Sequence, residues 1–252
     1  MRCFLTVTAT LFFAWINCVD AGDDAADAKA IIVKAIKAAG LDKGTDKPFA
    51  ETWKDKGTIN LMGQKLDYIA NWIYQSPDKY RFELSMEVMG QKIDVIQGTD
   101  GKKAFESVLG MKSDLEDEKL EHAQLEAYQF WIMSLNPLLK DKGFKLKALG
   151  AKKIGDHETV GVQVDRQGKP DVKIYFSKDT GLLAKLDIKI KNELDDWKEA
   201  LDENFFDEYK DQDGRKVFTK LRVNRNGEPL LQSILSEGRR IAPVDLKKFQ
   251  EP

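Results

Sequence analysis

His122 and His157 are the only histidines among 252 residues, so any chemistry built on imidazole would have to use one of them alone. His122 falls on the charged side of an expected helix and His157 in a Gly155-Asp-His-Glu158 turn. Neither has a histidine partner at metal-ligand spacing, and both read as solvated residues. Ser76-Pro-Asp-Lys79 matches the S-x-x-K string of penicillin-recognising acyl enzymes. That chemistry needs the serine at a helix start and two further motifs, whereas here the string reads as a turn before a strand. Asp211-Gln-Asp-Gly214 begins like a calcium loop but lacks the closing glutamate, and hairpin turns favour the same residues. Asp195-Asp196 reads as a turn, and Asp114 to Glu118 as an acidic helix start suited to the dipole. Nothing in the sequence sets two carboxylates across a cleft, and there is no glycine-rich phosphate loop or nucleophile elbow. The expectation is a non-enzyme with no metal or cofactor; an enzyme using carboxylates is a remote third reading.

Cys3 and Cys18 are the only cysteines, and both lie in a segment that reads as an export signal. Arg2 gives a positive start, Phe4 to Ile16 an apolar core, and Val19-Asp20-Ala21 a cleavage site, so residues 1–21 are expected to be removed and 22–252 to form one domain. The apolar run is shorter than the roughly 20 residues of a spanning helix. The alternative of lipid attachment at Cys18 is disfavoured by Trp15 and Asn17 just ahead of it. The mature chain would have no disulfide or thiolate, and its stability must come from its core. A net charge of −2 with a pI near 5.9 gives no basic footprint for nucleic acid.

The elements that could position a site are mostly strands. Leu61-Met-Gly-Gln-Lys-Leu-Asp-Tyr-Ile69 and Val88-Met-Gly-Gln-Lys-Ile-Asp-Val-Ile96 repeat one phrase, read as two hairpins with Gly-Gln type II′ turns. Between them Tyr80, Phe82, Leu84, Met86 and Val88 alternate with Arg81, Glu83, Ser85 and Glu87, as a half-buried strand requires. Ala28, Ile31, Ile32, Ala35, Ile36 and Ala39 predict an amphipathic helix stopped by Gly40. Ser113 and Glu116 form a capping-box signature, opening a second helix that Pro137 ends. Its end, Phe130 to Leu139, is apolar nearly all round and must be covered.

About eleven one-sided strands and two helices predict a mainly β fold. Two helices cannot cover so large a flat sheet, so it should curl into an open, incomplete antiparallel barrel, with the central helix as lid. The concave side then encloses a cavity or fills with a packed core, and periodicity does not choose between them.

Ser76-Pro-Asp-Lys-Tyr-Arg-Phe-Glu83, Gly98-Thr-Asp-Gly-Lys-Lys-Ala-Phe105 and Phe176-Ser-Lys-Asp-Thr-Gly-Leu-Leu183, with Asp207 to Gly214 and Val244 to Phe249, occur in an order that resembles the outer-membrane lipoprotein carrier family and its lipoprotein-sorting relatives. The resemblance implies an unclosed barrel with a helical lid and a hydrophobic interior, acting in the periplasm as a carrier or chaperone for lipoprotein acyl chains or another lipid. Carried onto this chain, the cavity would be lined by Tyr68, Trp72, Phe82, Leu84 and Met86, and by Trp131, Leu138 and Leu139 of the lid. Arg81 matches the arginine that in the family holds the lid closed; read from its strand alone, it is a solvated surface charge. The alternative function is a non-enzymatic envelope protein-binding or sensor module on the same scaffold, with envelope membrane proteins as partners. A monomer is expected.

Overall fold

The computed structural model describes residues 24–42, 48–61 and 63–252. The expected export signal, residues 1–21 with Cys3 and Cys18, lies outside these residues. Thirteen strands form one wholly antiparallel sheet. One meander comprises β1 (Ala50–Leu61), β2 (Gln64–Gln75), β3 (Lys79–Val88), β4 (Gln91–Thr99), β5 (Ala104–Val108) and β6 (Met111–Leu115). The other comprises β7 (Phe144–Ile154), β8 (His157–Arg166), β9 (Val172–Ser177), β10 (Leu183–Asn192), β11 (Lys198–Gln212), β12 (Arg215–Arg225) and β13 (Glu228–Ile241). They join where β1 pairs with β13, and β6 and β7 are the two free edges, so the barrel is open as expected.

The strands exceed the expected eleven partly because Ser113 is not a helix cap. It lies in β6, paired with Glu106, and the cap residue of α2 (Asp117–Met133) is Glu116, whose side chain makes no capping bond. Ladder pairing outcompetes the capping box here, and Asp117 and Glu118 supply the acidic first turn instead. The lid is also two helices rather than one. The backbone reverses at Leu135 (φ 59°), and Pro137 begins α3 (Asn136–Lys140) instead of ending its predecessor.

The repeated turns are of a different type from the expected II′. Val88 pairs with Gln91, so the central residues are Met89 (φ 52°) and Gly90 (φ 78°), both left-handed, which is type I′. The first copy follows the same register, Leu61 pairing with Gln64 and Gly63 standing at φ 76°. Asp213-Gly214 and Asn226-Gly227 make the same turn elsewhere.

Helix α1 (Asp24–Ala38) buries Ala28, Ile32, Ala35 and Ile36, spaced along one face, against β7 and β8. Gly40 then turns at φ 66°, with its α-carbon so near the Gly214 carbonyl that a methyl group would stand 2.3 Å from that oxygen. The interior separates into two clusters. The larger joins α1, α3 and β7 to β11; the smaller gathers Tyr74, Tyr80, Ala104, Leu115, Ala123 and Ala127 with Trp53, Trp72, Phe82 and Phe130.

Candidate functional site: an apolar cavity under a helical lid

Members of both clusters line one cavity of about 1430 Å³. This exceeds the roughly 300–1,000 Å³ of sites that hold drug-sized ligands. Trp53, Ile59, Tyr68, Trp72 and Leu84 face it from β1 to β3, Phe206, Phe218, Leu221 and Leu231 from β11 to β13, and Phe130, Trp131 and Leu135 from the lid. Trp53 and Trp72 are paired across β1 and β2 and stack with ring centroids 5.6 Å apart, and Phe130 meets both edge-on at 5.5 and 5.7 Å.

Of the residues expected to line it, Tyr68, Trp72, Leu84 and Trp131 do, while Phe82, Met86, Leu138 and Leu139 lie outside the lining. Phe82 packs on Trp72 at 4.7 Å and stacks with Tyr80, within the smaller cluster. Met86, half-buried, is paired with Tyr68 farther along β3. Consecutive residues on a helix point about 100° apart, so Leu138 enters the larger core and Leu139 turns to solvent.

The lid is held by a different arginine from the expected one. Arg166, at the end of β8, stacks on Trp131 and Phe144, 4.7 Å from each ring centroid, and pairs with Asp141 just after α3 at 3.2 Å. Arg81 is neither a lid contact nor a solvated charge. It is 4% exposed, pairs with Glu83 at 3.0 Å, and donates to the carbonyls of Lys248 and Glu251. It therefore fastens the C-terminal segment, whose Phe249 is fully buried, across β3 and β4.

Of the carboxyl groups that line the cavity, two have their pKa raised by burial, and sequence reasoning passed over both. Asp55 on β1 is pushed up to about 6 by burial, opposed weakly by Ser233 and Trp72 nearby. Glu126 on α2 is pushed up to about 7, first by burial and further by Asp55, while Tyr80 favours its ionised form. Glu126 keeps accessible surface although protein encloses it, so the space it faces is the cavity. The signals were there: Asp55 shares a strand face with Trp53 and Ile59, and Glu126 stands one turn before Phe130.

His122, one turn before Glu126, is not a solvated residue: it lines the cavity, and burial, then Arg225, lower its pKa. Among the described residues no group of His, Cys, Asp or Glu is placed to hold a metal ion. Ser76 to Asp78 form the turn between β2 and β3, and Asp211 accepts from the Gly214 amide in the hairpin joining β11 to β12, both as read from sequence.

Three solved structures share this architecture. A DUF1329 family protein from Desulfovibrio piger aligns over 88% of this chain and 96% of its own, with TM-score 0.56 and 12% identity. A LolA superfamily protein from Nitrosomonas europaea aligns over 89% and 97%, with TM-score 0.54 and 8% identity. The fold is that of the LolA superfamily structure. A putative outer membrane lipoprotein-sorting protein domain from Vibrio parahaemolyticus aligns over 88% and 97%, with TM-score 0.53 and 8% identity. At such identities the likeness is one of fold. No family model and no curated protein matches the chain. Among the described residues no helix is long and apolar enough to cross a membrane.

Proposed function

We propose that this protein is a non-enzymatic carrier that holds lipoprotein acyl chains, or the chains of another lipid, in the cavity beneath α2 and α3, acting in the periplasm after removal of residues 1–21. The observation that supports the reading most is the cavity itself: about 1430 Å³ walled by stacked aromatics and aliphatic side chains. A packed core would close so large an apolar space, because unfilled volume forfeits contact energy. Each methylene transferred there from water contributes about 0.8 kcal/mol. A chain could enter once Arg166 releases Trp131, and no chemical energy is needed if an acceptor binds the chain more tightly.

Native mass spectrometry of residues 22–252, exported in cells and purified without detergent, tests this. The reading expects a satellite mass of one lipid-sized ligand, lost on organic extraction. A single polypeptide mass that stays unchanged after incubation with lipid vesicles would contradict it and favour a module that binds envelope proteins.

A further inference from the structure

A cavity for acyl chains alone has no use for hydrogen-bonding groups, yet this one has a cluster of them. Asp55 lies opposite Ala70 of β2 and Leu235 of β13. Tyr68 and Trp72 flank Ala70 two residues to either side, and Ser233 is two residues from Leu235, so alternation puts all four on one face as diagonal neighbours. Asp55 Oδ1, Tyr68 OH, Trp72 Nε1 and Ser233 Oγ are each buried without a hydrogen bond of ordinary geometry, although Ser233 and Trp72 stand near enough to Asp55, and Ser233 to Tyr68, to favour their ionised forms. Asp55, Tyr68 and Ser233 are 7%, 5% and 4% exposed. Buried polar groups are paired in the large majority of cases, so four unpaired ones together point to a partner that arrives with a ligand. Glu126 adds a carboxyl from the lid.

We propose that Asp55, Tyr68 and Trp72 of the cavity lining, with Ser233 beside them on the same sheet face and Glu126 on the lid, form a head-group subsite that accepts a hydroxyl or amine at the end of a lipid and disfavours anionic heads. This rests on the carrier reading and adds the ligand's polarity to it. The sign follows from the charges. Among the described residues neither carboxyl is in an ion pair, and of the cations that also line the cavity Arg215 and Arg240 are engaged on Glu51, Arg225 on Asp202 and Lys216 on Asp211. A phosphate or carboxylate beside Asp55 would be buried against like charge, whereas a hydroxyl or ammonium can donate to it.

The test is displacement of the neutral dye N-phenyl-1-naphthylamine from the mature protein at pH 8 by dodecanol, dodecylamine and dodecanoate, which share one chain length. Dodecanol and dodecylamine are expected to displace at roughly tenfold lower concentration than dodecanoate, about one step of the affinity scale. In Asp55→Asn/Glu126→Gln, shown folded by circular dichroism, the gap should narrow to about threefold or less. Equal displacement by all three, a preference for dodecanoate such as Arg239 and Lys210 at the cavity lining would give, or a gap unchanged in the double variant would each overturn the subsite while leaving the carrier reading intact. Dye binding with no displacement by any chain would overturn both.

Discussion

Asp55 of β1 and Glu126 of α2 share one apolar cavity, near enough that charge on Asp55 raises the Glu126 pKa further than burial alone does. One carboxyl belongs to the sheet and the other to the lid, so their ionisation bears on how the two halves of the site stay together.

Stability should therefore fall as pH rises. Asp55 moves from 3.8 to about 6 and Glu126 from 4.5 to about 7 on folding. Both folded values are raised, so their protonated forms stabilise the native state fully below pH 4, and that contribution is lost as pH rises to 7. Each contributes on the order of 2 kcal/mol across this window. Urea unfolding between pH 5 and pH 8 should show the decline, and Asp55→Asn/Glu126→Gln should flatten it; an equal slope in the variant would remove these groups as its cause.

Arg166→Ala should loosen the lid. The guanidinium contacts Trp131, Phe144 and Asp141 together, and its loss should cost roughly 1–2 kcal/mol. Hydrogen exchange should quicken in the last turns of α2 and in α3, with β1 to β5 unchanged. Arg81→Ala should instead quicken exchange in residues 246–251, which its side chain fastens. Were Arg81→Ala to expose the lid, the division of labour between the two arginines would be wrong.

Gly57→Ala should weaken the seam between the two meanders. A methyl group on Gly57 would lie 1.9 Å from the Gln232 carbonyl oxygen and 2.9 Å from the Ser233 α-carbon, so β1 and β13 must part. A loss of roughly 2–4 kcal/mol in urea unfolding is expected. Thr58→Ala, the neighbouring residue without that contact, serves as the control.

Met89→Asn should stabilise the protein by about 0.5 kcal/mol, because asparagine accepts the left-handed backbone that costs methionine strain. Met89 is 90% exposed and has little packing to lose. A fall in melting temperature would show that Met89 makes a stabilising contact.

These cases mark how far the sequence could be read. Alternation from Tyr80 to Val88 revealed the strand and its direction, because the spacing of apolar residues is set locally. The open sheet followed from counting faces that needed cover. Turn type did not follow, because Met-Gly-Gln fits both II′ and I′ until the Val88–Gln91 pairing fixes which two residues are central. Arg166 and Arg81 could not be told apart as lid contacts, since each belongs to an alternating strand and only the fold brings Trp131 to one and the Lys248 and Glu251 carbonyls to the other. Asp55 and Glu126 were hidden for a related reason: a carboxyl between two lysines, or one on a helix dotted with polar residues, looks solvated until the sheet curls around it.

The most direct measurement of the central claim is quenching of tryptophan emission by a bromine-labelled acyl chain, since Trp53, Trp72 and Trp131 line the cavity. The carrier reading predicts strong quenching by the brominated chain, none by its unlabelled counterpart, and loss of at least about half of it in Trp53→Phe/Trp72→Phe. Emission unchanged by the brominated chain, at concentrations where that chain displaces the neutral dye, would contradict it by placing the binding site outside the cavity.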